Sequence, residues 1–276
     1  MTEEKQTAEK QEDLSKSAPV IGTQNNSDDL FADFDFEGLK IDINEMFKSG
    51  VYFGHQKSRR NPKMDEYIYA TKNGINIIDL QKTADKLAEA MTFIKTVIAS
   101  GKPILFVGTK KQAKKVIEAA AKKCGMPYVV ERWLGGTFTN FEAIAKRTKF
   151  LRDGEDKMAK GEYDKYTKFE RMKIGEELEK LEERMGGIKN MGALPGAIFV
   201  SSIPDDDLAV KEARRVGIPI IALADTNANP ANVDYPIPAN DDAVSSLKLM
   251  LAYIVKAVLE GKTVNMANKN ISEPTK

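Results

Sequence analysis

Residues 50–64, GVYFGHQKSRRNPKM, hold the single histidine of the chain, His55, and four cations, Lys57, Arg59, Arg60 and Lys63, gathered around Gln56 and Asn61. The run contains no nucleophile with a base beside it. His55 has no carboxylate near it in sequence to orient it as a general base. What the run does offer is a dense set of hydrogen-bond donors, and that suits a polyanion. Apolar periodicity stops after Met46 and Phe47 and resumes at Tyr67, so the stretch is expected to be a long polar loop, a class of segment that commonly carries function.

Two further stretches could do chemistry. VGTKKQAKK, residues 107–115, joins a strand to a helix, and helix N-termini bind phosphate. It lacks both the G-x-x-x-x-G-K-[ST] spacing of a P-loop and the three glycines of a dinucleotide fingerprint. Lys110, Lys111, Lys114 and Lys115 instead form a basic first turn and a half, which serves equally as a solvated face or as an anion contact. ERWLGGTFTN, residues 131–140, carries Thr137, Thr139 and Asn140 as phosphate or sugar donors. Its adjacent Gly135 and Gly136, like Gly54, allow a tight turn or close backbone approach. Trp133 serves a core as readily as a ligand. Residues 225–230, DTNANP, could hold a metal, but Asx-turn chemistry is the simpler reading. One histidine and one cysteine make no ordinary zinc site. No catalytic residue, cofactor or metal is therefore expected.

The elements that position these residues follow from apolar spacing. Asp42 caps a short helix ending at Lys48, and Gly74 marks a turn between two short strands. Leu87, Met91, Ile94, Val97 and Ile98 recur at helical spacing across residues 81–100. Strand and helix then alternate: strands over 103–108, 128–130, 197–200, 218–223 and 235–237, and helices over 111–124, 206–216 and 241–260, the last closed by Gly261. That rhythm predicts an α/β domain with a mainly parallel sheet. Phe141, Ile144, Thr148 and Leu151, then Ile174, Leu178, Leu181 and Met185, step by three and four. They predict an antiparallel helical hairpin with a coiled-coil-like seam, its loop lying between residues 153 and 164.

The net charge of +1 conceals an asymmetry: residues 1–40 carry −6 and the remainder +7. A mildly basic body is compatible with a nucleic-acid partner. Residues 1–29 are too polar for a core and are expected to be disordered. Phe31, Phe34 and Phe36 alternate with acids, reading as a linker that touches the body now and then or as a docking motif for a partner protein. A single cysteine, Cys124, excludes an intrachain disulfide and fits a reducing compartment. No apolar run approaches the roughly 20 residues that span a bilayer, and the first 20 residues are too charged for a signal peptide. A cytoplasmic protein without a membrane partner is the expectation.

FGHQ and NPKM, then INIIDLQKT, ILFVGTKKQA, RWLGGTFTN, GGIKNM, LP, IPIIALADTNANP and IPANDDA follow one another in this order. In them the chain, over about residues 40–262, closely resembles the bacterial ribosomal small-subunit protein two family. The resemblance implies a Rossmann-like (flavodoxin-like) three-layer α/β/α domain built from residues 41–137 and 188–262. A coiled-coil hairpin is inserted at 138–187, while a disordered acidic extension over 1–40 and a flexible tail over 263–276 lie outside the resemblance. It also implies binding to small-subunit ribosomal RNA and to neighbouring ribosomal proteins, including the large multi-domain first protein where present, with no catalysis. His55, Gln56, Lys57, Arg59, Arg60, Asn61 and Lys63 then fall where the family presents polar groups to RNA, with Arg132, Thr139 and Asn140 as further contacts; Lys110, Lys111 and Lys114 of the basic turn are expected to join that surface on their residue type alone. Two departures stand out. Arg60 occupies a position where relatives usually have tryptophan, and Ser201-Ser202 stand where relatives often carry Asp and His.

Overall fold

The computed structural model of the chain describes residues 30–31 and 34–272. A small antiparallel sheet leads. Helix α1 (Ile43–Lys48) is capped by the Asp42 carboxylate, which accepts from the amide of Asn44. Three strands follow, β1 (Phe53–Gln56), β2 (Ile68–Lys72) and β3 (Ile75–Ile78), in the order β1-β3-β2. The β2–β3 turn places Asn73 and Gly74 at φ 52° and 77°, the left-handed geometry that an Asn-Gly hairpin supplies without strain. Strand β1 corrects the expectation of a featureless loop. Phe53 pairs with Ile77 and Gln56 with Ile75 across an irregularity in register, and four residues interrupted by a bulge leave no alternation to read.

Five parallel strands form the main sheet: β4 (Ile104–Val107), β5 (Tyr128–Val129), β6 (Ala197–Val200), β7 (Ile220–Ala224) and β8 (Tyr235–Pro238), in the order β5-β4-β6-β7-β8. Counted within this sheet, the order is 2-1-3-4-5, the flavodoxin-like winding. Burial on both faces explains the continuous apolar runs. Ile104, Phe106, Ala197, Phe199, Ile221 and Leu223 face one core, packed by α2 (Leu80–Ala99), α3 (Lys114–Cys124) and α7 (Val244–Ser272). The alternate residues Leu105, Val107, Ile198, Val200, Ile220 and Ala222 face a second core with Ala209, Val210 and Ala213 of α6 (Asp207–Val216). The domain therefore has three layers.

Helices α4 (Phe141–Ala159) and α5 (Lys168–Met185) lie antiparallel in the insertion between β5 and β6. Helix α4 runs through Gly154, inside the stretch expected to be the connecting loop. A Cβ there would stand 2.5 Å from Leu178 Cδ2, so the glycine lets Leu178 seat against the backbone of α4. Helix α7 likewise continues through Gly261, where a stop was expected, and the tail is helical to Ser272. A Cβ at 261 would lie 2.8 Å from Ile98 Cβ. Close packing of α7 on α2 outweighs the roughly 1 kcal/mol that an interior glycine costs a helix.

Part of the expected acidic extension belongs to the body. Phe31 is 1% exposed within the first core, with Phe34 and Phe36 packed against it. Lys256 of α7 donates to the carbonyls of Glu37 and Leu39, and Lys40 O accepts from the Tyr253 hydroxyl. Residues 34–40 therefore dock along α7, and the three aromatics are committed to this chain's own core and its edge. The expectation of disorder over residues 1–29 lies outside the described residues.

Candidate nucleic-acid interface

Because all five strands of the main sheet run in parallel, their C-terminal ends emerge at one edge, the usual ligand crevice of such sheets. The turn at 108–113 follows β4, the loop at 130–140 follows β5, 201–206 follows β6, 225–230 follows β7 and 239–243 follows β8. The basic run after β1 is tied to this same edge through Thr226. The His55 amide donates to Thr226 Oγ1 at 2.8 Å, and the Asn61 amide donates to Thr226 O at 2.8 Å. Gly54 is needed for that approach, since a Cβ would stand 2.4 Å from Thr226 Cγ2. The Lys57 amide donates to Gly74 O, and the Asn61 side chain caps the short helical turn starting at Pro62.

This anchoring leaves Gln56, Lys57, Arg59 and Lys63 exposed. Lys57, Arg59 and Lys63 form no ion pair among the described residues. Arg60 is different: its guanidinium contacts Asp65 Oδ2 at 2.8 Å, which holds it back along the loop. That pair is partly exposed and adds little stability. Its consequence is positional, since it fixes the Arg60 guanidinium on the protein's own Asp65.

His55 points inward. Its Nδ1 lies 3.0 Å from Asp225 Oδ2 and its Nε2 lies 3.5 Å from Asp242 Oδ2, with the Asn227 amide 3.3 Å from Nε2. The Asp225 carboxylate holds the imidazole pKa above its ordinary value against the opposing effect of burial. The carboxylates absent near His55 in sequence are thus supplied by the ends of β7 and β8. Lys110 is likewise withdrawn. It is 14% exposed, with Nζ 2.7 Å from both Asp241 Oδ1 and Asp242 Oδ1 and 3.8 Å from Asp205 Oδ2. Burial opposes its charge, and these carboxylates nonetheless raise its pKa. Lys110 therefore serves as a counter-ion to the protein's own acids. Lys114 is paired with Glu131 at 2.5 Å, whereas Lys111 and Lys115 are exposed.

The loop after β5 is organised by a residue with no motif to mark it in the sequence. Glu212 of α6, 7% exposed, accepts from Gly136 N at 2.7 Å, Phe138 N at 3.0 Å, Thr139 N and Oγ1 at 3.3 Å, and Trp133 Nε1 at 3.3 Å. Trp133 is core, set edge-to-face on Phe138 with centroids 5.0 Å apart. Gly136 adopts φ 92°, which a glycine accommodates, whereas nothing crowds the position of a Cβ at Gly135. Arg132 and Asn140 are exposed, while the Thr139 hydroxyl is spent on Glu212. An acid placed mid-helix in α6 gives no sign that it serves a loop some 75 residues earlier.

At the strand-order switch between β4 and β6, Thr109 donates from both its amide and its hydroxyl to Asp206 Oδ1, and α3 starts at Lys114 without a side-chain cap. Burial pushes the Asp206 carboxyl up to about 6 from 3.8, against the two Thr109 donors. A raised folded-state value means that the stabilising contribution is complete below 3.8 and is lost as pH rises through about 6. Asp206→Asn keeps an acceptor for Thr109 and removes the charge. We expect it to stabilise the protein by about 1–2 kcal/mol at pH 7.5 and to match the wild type near pH 4, read from urea unfolding at both pH values. A variant less stable than the wild type at pH 7.5 would show that the charge itself is required.

The domain is thus a parallel α/β fold that displays, on an anchored loop, cations with no ion pair among the described residues, and turns its one histidine into a carboxylate cluster. The sequence profile described as Ribosomal protein S2 matches residues 46–261, and the chain belongs to that family. A protein of Roseiflexus sp. (strain RS-1) with the name small ribosomal subunit protein uS2 is 49% identical over 222 residues, covering 80% of this chain and 85% of the relative. Its namesake from Roseiflexus castenholzii (strain DSM 13941 / HLO8) is 50% identical over 222 residues, covering 80% and 84%. No helix among the described residues is long and apolar enough to cross a membrane.

Proposed function

We propose that this chain is a structural component of the small ribosomal subunit that binds its RNA without catalysis. The observation that carries the reading is the trio Lys57, Arg59 and Lys63, exposed and without an ion pair among the described residues, on a loop whose backbone is fixed at both ends. Fixed donors of this kind suit the phosphates and 2′-hydroxyls of a folded RNA, which is recognised mainly by shape and backbone. Gln56, Lys111, Arg132 and Asn140, exposed on neighbouring loops, extend the same surface. Residues 138–187 act in this reading as an inserted coiled-coil hairpin. Its charged outer faces are available to RNA or to other small-subunit proteins, the large multi-domain first protein among them.

Sedimentation tests the assignment. The tagged chain is expected to travel with small subunits through a gradient after a moderate salt wash, and a chain lacking residues 1–29 is expected to do the same. A chain found mainly at the top of the gradient would contradict the ribosomal role.

A further inference from the structure

The far end of the α4–α5 insertion differs in character from its shaft. Residues 157–173, which include the connection between the two helices, hold six lysines and arginines against three acids, a net charge of +3. Residues 174–185, the rest of α5, hold five acids against two cations, a net charge of −3. Two of the three acids at the far end are already engaged. Asp164 holds Arg171 at 2.8 Å, and Glu170 closes the capping box of Thr167. Lys157, Lys160 and Lys168 form no ion pair among the described residues. Two rings are exposed in the same place, Tyr166 at 42% and Phe169 at 59%. Lys165 Nζ lies 5.6 Å from the centre of the Tyr166 ring, and Lys173 Nζ lies 4.6 Å from that of Phe169. Neither ring belongs to either core of the domain, so packing does not account for them.

We propose that the end of the α4–α5 hairpin is a binding surface for an unpaired stretch of RNA, whose bases stack on Tyr166 and Phe169 while its phosphates meet the lysines around them. The inference rests on the RNA reading above and adds a second contact of different chemistry. Positive charge alone suits any polyanion, and exposed rings alone suit an apolar protein surface. Their interleaving suits single-stranded nucleic acid, which offers a π-face and a phosphate at every nucleotide. Duplex RNA keeps its bases stacked inside and is met through its backbone and 2′-hydroxyls, the chemistry assigned to the loop at 57–63. A lysine over an exposed ring is held weakly, so Lys165 and Lys173 are free to turn to phosphate when a base arrives. The acidic remainder of α5 repels a polyanion and confines the contact to the far end. The 18 residues of α5 set that end about 27 Å from Met185, where the helix rejoins the second core.

Binding of the full chain to a labelled oligoadenylate of about ten nucleotides, and to an RNA duplex of similar charge, tests this by fluorescence anisotropy across a salt series. The double variant Tyr166→Leu, Phe169→Leu removes the rings and keeps apolar bulk. It is expected to weaken oligoadenylate binding at least tenfold, to keep the salt slope because no cation is lost, and to bind the duplex as the wild type does. Tyr166→Phe with Phe169→Tyr keeps both rings and should bind oligoadenylate like the wild type. A wild type that does not bind oligoadenylate overturns the proposal, as does unchanged affinity in the leucine variant or an equal loss toward the duplex. A leucine variant that keeps its oligoadenylate affinity yet leaves the small subunit in a gradient assigns this surface to a protein partner and overturns the proposal too. Lys57→Ala, Arg59→Ala, Lys63→Ala should weaken binding to both RNAs. If it weakens neither while the leucine variant loses oligoadenylate, the loop reading fails and the hairpin contact stands. Should the leucine variant fail to fold, Lys165→Ala, Lys168→Ala, Lys173→Ala decides: it should flatten the oligoadenylate salt slope, and an unchanged slope overturns the surface.

Discussion

Replacing Glu212 with alanine is expected to lower the melting temperature by about 6–12 °C, corresponding to about 3 kcal/mol. The carboxylate gathers three backbone amides, a hydroxyl and the indole N–H of Trp133 from one loop. Truncation strands several of these donors in a site that is largely closed to water, which is the costly way to lose a hydrogen bond. Burial alone would push the carboxyl pKa of Glu212 up, yet these donors hold it below the ordinary 4.5. Its contribution is therefore complete above the unfolded value and fades as pH falls through the folded one. The wild type and the variant should differ most at neutral pH and converge in acid. Trp133 is the single tryptophan, so its emission reports the loop directly and should shift to the red in the variant. Unchanged emission with a melting temperature within about 1 °C of the wild type would remove Glu212 from its organising role.

The combined variant Lys57→Ala, Arg59→Ala, Lys63→Ala is expected to leave the fold intact and to weaken RNA binding by roughly 10²–10³ at 0.1 M salt. Each lost phosphate contact removes counterion release, so the slope of log affinity against log salt should flatten by about 2 to 3 in total. Stability should change little, because all three side chains are exposed and form no ion pair among the described residues. The matched comparison is Lys110→Ala. Since Lys110 is held among Asp205, Asp241 and Asp242, its loss should reduce stability and leave the salt slope unchanged. If Lys110→Ala flattened the slope and the triple variant did not, the RNA surface would have to move to the turn after β4.

These two variants also separate what is legible in the sequence from what is not. Exposed cations announce themselves by residue type, so Lys57, Arg59 and Lys63 stand out from their letters and spacing. Lys110 carries the same letter and belongs elsewhere, because whether a lysine meets solvent or a carboxylate depends on what the next strands deliver. Residues 34–40 show the same limit in apolar form. Phe31, Phe34 and Phe36 read as a loose acidic-aromatic stretch, and only the groove along α7 reveals that they complete a core. Glycines mislead in one consistent direction. Gly154 and Gly261 look like helix ends, yet each lies inside a helix where a neighbouring side chain needs the space of a Cβ.

By itself the sequence determined the alternation of strand and helix, the parallel sheet and the paired helices of the insertion. These follow from local periodicity and apolar runs, which the chain carries at short range. It also determined the basic character of the loop after β1. Tertiary structure alone decided the partners of His55, Glu212, Lys110 and Thr109, each of which lies 70 or more residues away. The reason is geometric: a parallel sheet gathers the ends of strands from distant segments at one edge. His55, without a carboxylate in its own neighbourhood, meets three of them there.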